Sequence, residues 1–178
     1  MFNKILSYGV AAGLIVGIPL SILTVSTSHH RPLAYGYAIG YTTMLVALSL
    51  VFVAIKRHRD IDLGGVIGFW TALGLGLAIS FVASVIYVVA WESTVAFAHI
   101  DFADGYARML IEQKKASGVT GAALAKFTAE MAQFKAQYAN PFYRLPMTFI
   151  EIFPVGVLVS LISAGLLCNR RFLPARRS

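Results

Sequence analysis

Four uninterrupted apolar runs, at residues 5–28, 33–55, 66–95 and 147–168, constrain this chain more than any other feature. They are 24, 23, 30 and 22 residues long and contain no Lys, Arg or Asp. About 20 helical residues cross a hydrocarbon core of roughly 30 Å. Backbone groups inside lipid must be paired within the segment, which selects helices or closed barrels. Helices buried in soluble proteins are seldom apolar on every face for this long. The expected fold class is therefore all-α: a polytopic membrane protein of four transmembrane helices, forming one membrane domain over residues 1–178. Composition agrees, with 58% apolar and 13% charged residues, against roughly 45–50% and 25% in ordinary globular chains.

The net charge of +7 suggests nucleic acid or an anionic surface until the cations are sorted by side. The segments 1–4, 56–65 and 169–178 hold Lys4, Lys56, Arg57, Arg59, Arg170, Arg171, Arg176 and Arg177. The longer segments 29–32 and 96–146 hold only Arg31, Arg108, Lys114, Lys115, Lys126, Lys135 and Arg144. This asymmetry predicts both termini in the cytoplasm. Residues 96–146 then face the periplasm of a bacterial inner membrane. The cations are explained by topology, so no nucleic-acid partner is implied. The partners expected are the lipid bilayer and either a second copy or a membrane or periplasmic protein. Lys4 and the first run imitate a signal peptide. The run is longer than a usual signal core, however, and no clear cleavage site follows, so it reads as an uncleaved span.

Small residues recur every four positions and mark faces on which helix backbones can approach. They are Gly9, Gly13 and Gly17 in the first span, Gly36 and Gly40 in the second, Gly68, Ala72 and Gly76 in the third, and Gly156, Ser160 and Ala164 in the fourth. Pro19 and Pro154 fall inside spans, where each removes a backbone donor and should kink its helix. Phe69, Trp70, Tyr35, Tyr37, Trp91 and Phe97 sit near the expected interfaces, as an aromatic belt would. Cys168 is the only cysteine. It has no partner for an internal disulfide and reads as core or lipid-facing filler.

Residues 101–140 differ in character. The spacing predicts one helix over 101–118, with Phe102, Tyr106, Met109 and Gln113 near one face. A second helix is predicted over 122–138, where Leu124, Phe127, Met131, Phe134 and Tyr138 form an amphipathic stripe. Asn140-Pro141 ends it. Together they read as an extracytoplasmic helical hairpin between the third and fourth spans.

Glu92 and Glu151 are the only charges inside the spans. Acids there are functional candidates by default. Counted from the span ends, both lie about 5–6 Å below the outer boundary. Tyr37 and Tyr41 enter the second span at similar depth, and His29, His30 and His99 lie on the same side. Three uses compete. The acids could hold the bundle together, Arg144 pairing with Glu151. They could line a polar pocket for a proton, ion or small ligand, with Tyr37 and Tyr41. Or Glu92, Glu151, His29, His30 and His99 could bind a divalent metal such as zinc, although no local zinc spacing is present. No other cofactor is implied. His58, in the basic inner loop, reads as solvated. No hydrolase, protease or nucleotide motif occurs, so no catalytic residue is assigned. A scaffold or interaction module leads, followed by a transport protein using the outer Glu/His site, then an enzyme with paired carboxylates.

Three motifs resemble a known family. They are Ile55-Lys56-Arg57-His58-Arg59-Asp60 followed by Gly64-Gly65, then Ile86-Tyr87-Val88-Val89-Ala90-Trp91-Glu92, then Thr148-Phe149-Ile150-Glu151-Ile152-Phe153-Pro154-Val155-Gly156 leading to Leu161-Ile162-Ser163-Ala164. In order and spacing they resemble the bacterial family called domain of unknown function 4199, over nearly the whole chain. The resemblance implies a four-span inner-membrane protein and marks Glu92, Glu151 and Pro154 as motif positions. It implies no activity.

Overall fold

The computed structural model describes residues 2–27, 36–98 and 101–174, and among them the secondary structure is entirely helical. In chain order the helices are α1 (Phe2–Thr27), α2 (Gly36–Arg57), α3 (Phe69–Ala98), α4 (Phe102–Ala116), α5 (Gly121–Tyr138) and α6 (Pro141–Leu167). Four segments are long and apolar enough to cross a membrane: Phe2–Ser26, Ala38–Asp62, Phe69–Ala98 and Pro141–Leu167. The sequence places the same four spans with different ends. The second continues through a π-helical turn, His58–Asp62. The third starts three residues later, because Gly64 and Gly65 adopt positive φ angles of 64° and 93° that only glycine takes without strain. The fourth starts six residues earlier: Asn140 caps it by accepting the Phe142 N–H at 3.0 Å, and Pro141 fills a position that needs no donor.

The spans form a ring that departs from chain order. α1 packs on α3, α3 on α6, α6 on α2 and α2 on α1. Val16, Leu48, Val51, Ile55, Ile79 and Ile152 are fully buried at its centre. Glycines set the closest contacts. A Cβ on Gly9 would lie 2.6 Å from Val82 Cβ, one on Gly13 would lie 2.6 Å from Ile86 Cβ, and one on Gly17 would lie 2.7 Å from Ala90 Cβ. Three glycines four apart thus receive three α3 side chains four apart. The α3–α6 contact is reciprocal. Gly76 faces Ser160, Gly156 faces Ser80, and the two serine hydroxyls are 3.2 Å apart. Gly40 is in ordinary contact with Leu20 at 3.8 Å. Gly68 differs from expectation: it precedes α3, and its nearest neighbour is Thr71 of its own next turn at 3.9 Å. The surroundings of Gly36 and the side chain of Tyr37 lie outside the described residues. Pro19 and Pro154 lie inside α1 and α6.

Gly13 gives the sharpest packing test, because its added Cβ would also lie 2.7 Å from the Ala83 carbonyl oxygen. Backbone cannot swing away as a flexible side chain can. Gly13→Val is expected to destabilise the purified protein by about 1–3 kcal/mol through overpacking. Gly74, which has open space where a Cβ would go, should tolerate alanine with little change. Denaturation midpoints in detergent compare the two.

α4 and α5 pack on each other as the expected hairpin. Asp101 caps α4 by accepting the Asp104 N–H at 2.9 Å. Ala103 and Ala107 are its buried residues, while Gln113, predicted on the packing face, is exposed because the inward face is shifted by one position. Asp104 is bridged to Arg108 within its helix and to Lys135 across the hairpin. The Lys135 hydrogen bond holds the Asp104 carboxyl below its usual range.

Candidate functional site

One polar site lies where α3, the base of the hairpin and the start of α6 meet. Glu92 is in α3, two turns from its end, and Arg144 is in the first turn of α6. Arg144 Nε donates to Glu92 Oε1 at 2.7 Å, and its Nη2 donates to Oε2 at 2.5 Å. This two-pronged guanidinium–carboxylate contact is the strong form of ion pair. The side chains are only 14% and 25% exposed. Arg144 also donates to the Tyr138 carbonyl at 3.4 Å and lies over the Tyr138 ring.

An aromatic cluster surrounds the pair. Trp91 Nε1 donates to the Tyr138 hydroxyl at 2.9 Å. The Phe102 ring stands edge-on to Trp91, and Tyr106, Phe134 and Tyr138 continue the cluster into the hairpin. Burial pushes the Tyr138 phenol up to about 12. Trp91 is therefore not a belt residue. It is 8% exposed and joins the bundle to the hairpin, whereas Trp70 and Phe97 remain largely exposed at the two ends of α3.

Glu151 belongs to a different level. Its Oε2 accepts from the Tyr87 hydroxyl at 3.4 Å. Tyr87 is five residues before Glu92 on α3, and Glu151 is seven residues after Arg144 on α6. At 1.5 Å per residue, Glu151 lies about 7.5–10.5 Å deeper than the ion pair. The equal depth expected from sequence is lost because both outer helices extend beyond the apolar runs by unequal amounts. Arg144 also takes Glu92 as its partner in place of Glu151. Glu151 is exposed on the flank of α6, and Tyr87 is its only polar contact among the described residues. Tyr41, 53% exposed on α2, hydrogen-bonds to neither acid among the described residues. His29, His30 and His99 lie outside the described residues. Among those described, no three His, Cys, Asp or Glu side chains converge as metal ligands would.

A second polar centre, at the opposite end, was hidden among the topology-setting cations. Arg59 is fully buried. Its Nε donates to Asp60 at 2.6 Å, Nη1 to the Leu167 and Phe172 carbonyls at 3.4 and 3.0 Å, and Nη2 to the Leu173 carbonyl at 2.5 Å. A cation here satisfies the last carbonyl of α6, which has no helical donor, and two more in the turn that follows it. Around it, Lys56 bonds Asp60 at 2.5 Å, His58 Nδ1 lies 2.6 Å from Asp62, and Lys4 of α1 also pairs with Asp62. His58 is only 9% exposed, so its expected solvation is replaced by a close polar contact with Asp62 in the π-helical turn.

All three sequence motifs thus mark contacts between helices. The motif of residues 55–65 carries the Arg59 knot and the glycine turn, that of residues 86–92 carries Tyr87, Trp91 and Glu92, and that of residues 148–164 carries Glu151, Gly156 and Ser160. The chain matches the family described as protein of unknown function (DUF4199) across residues 7–169. The chain belongs to this family. Comparison with curated proteins and with solved structures gives no match. The family match takes in the Glu92–Arg144 pair, Arg59 with Asp60 and Leu167, and nearly all of the four membrane-spanning helices, while Lys4, Phe172 and Leu173 lie outside it, and its description assigns no activity.

Proposed function

We propose that this family member is a non-enzymatic module of the bacterial inner membrane that assembles with itself or with a membrane or periplasmic protein. Its termini face the cytoplasm, and residues 96–146 face the periplasm. One observation carries the reading: Glu92, the acid best placed for outer-site chemistry, has both carboxylate oxygens bound by Arg144. Among the described residues, no buried side-chain nitrogen or oxygen lacks a hydrogen-bond partner. The site therefore looks built to hold helices together. Paired-carboxylate catalysis would need Glu92 and Glu151 at one reacting atom, and their partners hold them at different depths. A transport site for a proton, ion or small ligand draws support from Glu151 alone, which is exposed and has a single polar contact.

Self-assembly is tested by single-molecule photobleaching of labelled protein in lipid vesicles at increasing dilution. The expected result is two or more bleaching steps per particle in excess of random co-occupancy. A single-step distribution, together with no partner recovered by cross-linking in native membranes, overturns the reading. So does a metal-dependent activity abolished by Glu92→Gln or Glu151→Gln.

A further inference from the structure

Glu151 poses an unsolved physical problem within the single chain. It is the eleventh residue of a 27-residue membrane-crossing helix and lies four residues inside that helix's apolar run, about 6 Å from where the run begins at 1.5 Å per residue. It is nevertheless exposed on the outside of the bundle. Ionisable side chains at such depth almost always face a bundle interior or a polar cavity, because lipid cannot solvate them. A polar partner on that face would offset the cost.

The sequence around Glu151 describes such a partner. Met147, Glu151, Pro154, Leu158, Leu161 and Gly165 follow one another at steps of 4, 3, 4, 3 and 4, and all are exposed. A seven-residue repeat of this kind is the seam of two helices crossing with a left-handed twist, the common geometry of membrane bundles. On α6 it lies opposite the inward side, whose buried residues include Thr148, Ile152, Gly156 and Ser163.

We infer that this face of α6 is the dimer interface, and that its occupant is the same face of a second copy inserted with the same orientation. The inference rests on the self-assembly reading above and names its surface. The choice of occupant follows from chemistry. Two chains of one orientation are related by a twofold axis along the membrane normal, which brings a residue opposite itself. A neutral carboxylic acid carries one O–H donor and an accepting carbonyl oxygen. It is thus its own complement: two Glu151 side chains across the axis each donate to the other. No other single group on this seam needs a polar partner. Tyr87, donating from within the bundle, takes up one carboxyl oxygen and leaves the other without a partner among the described residues. Cys168 falls on the next seam position, three residues after Gly165, and is partly exposed.

Full-length protein carrying Leu158→Cys in a Cys168→Ser background tests the seam by oxidation in native membranes. Leu158 is 59% exposed, so the substitution does not disturb the core. With one cysteine per chain, any disulfide joins two chains, and it forms only if their Cα atoms approach within about 7 Å. The expected result is a disulfide-linked dimer in at least tenfold excess over Val46→Cys in the same background, Val46 being 62% exposed on α2. Energy transfer between labelled copies in vesicles supplies the second arm. Glu151→Gln, whose amide also donates and accepts, should keep association within about threefold, while Glu151→Leu should weaken it about tenfold, as loss of an interhelical hydrogen bond in lipid does. Equal cross-linking at residues 158 and 46, or unchanged association of Glu151→Leu, overturns the inference. Energy transfer without cross-linking at residue 158 overturns the α6 seam and leaves self-assembly standing. No energy transfer in wild type overturns both.

Discussion

Arg59→Ala is expected to destabilise the protein by about 3–5 kcal/mol, the range found when one partner of a buried ionic network is removed. The guanidinium is fully buried and bonds Asp60 and three backbone carbonyls. Without it, the Leu167, Phe172 and Leu173 carbonyls lose their donor, and Asp60 keeps only Lys56. Arg59→Lys should recover only part of the loss. An ammonium is a point charge on a flexible stem and cannot reproduce the planar fork that reaches carbonyls on several sides. Unfolding by denaturant in detergent gives the magnitude. Limited proteolysis gives the location, since cleavage after Arg170 or Arg171 should accelerate before global unfolding does. A loss below about 1 kcal/mol would mean that the knot is peripheral to stability, as exposed salt bridges are.

The second large effect is at the hairpin end of the bundle. Arg144→Ala is expected to cost about 2–4 kcal/mol, somewhat below a fully buried pair because both side chains retain some exposure. The exchange variant Glu92→Arg with Arg144→Glu tests whether the cost belongs to the pair. It should restore part of the stability lost in either single change, and a double-mutant cycle measures the coupling. The same pair braces the aromatic base of the hairpin through Tyr138. In a Trp70→Phe background, Trp91 fluorescence should therefore shift to the red in Arg144→Ala, as the indole gains contact with water. Unchanged emission would separate the ion pair from the hairpin base.

The spans were legible because lipid makes one simple demand, a long apolar helix, and the sequence answers it four times. The hairpin was legible for a related reason: its stripe at steps of three and four has only one helical reading. The site was harder. Glu92 stood out as an acid in an apolar run, yet its partner lies 52 positions away. No spacing rule joins a residue near the end of one helix to a residue near the start of another. Arg144 was visible, and the arithmetic within its own helix pointed it to Glu151. Arg59 was least legible of all. Charge counting treats every cation beside a span as solvated, and nothing in the run of residues 56–60 distinguishes the arginine that turns inward. The distinction depends on where α6 ends, which is a property of the folded bundle. Trp91 illustrates the same limit, because a tryptophan near a span end suits a headgroup layer and a buried hydrogen bond equally well. Its hydroxyl partner, Tyr138, arrives from the hairpin.

The glycine slots on α1 have a consequence for synthesis. Their occupants, Val82, Ile86 and Ala90, are all on α3, so α1 and α2 emerge before the surface they fit exists. Each slot lies 73 residues before its occupant in the chain. Insertion of α3 supplies all three occupants from a single helix, so the face of α1 is completed by one later element of this membrane protein.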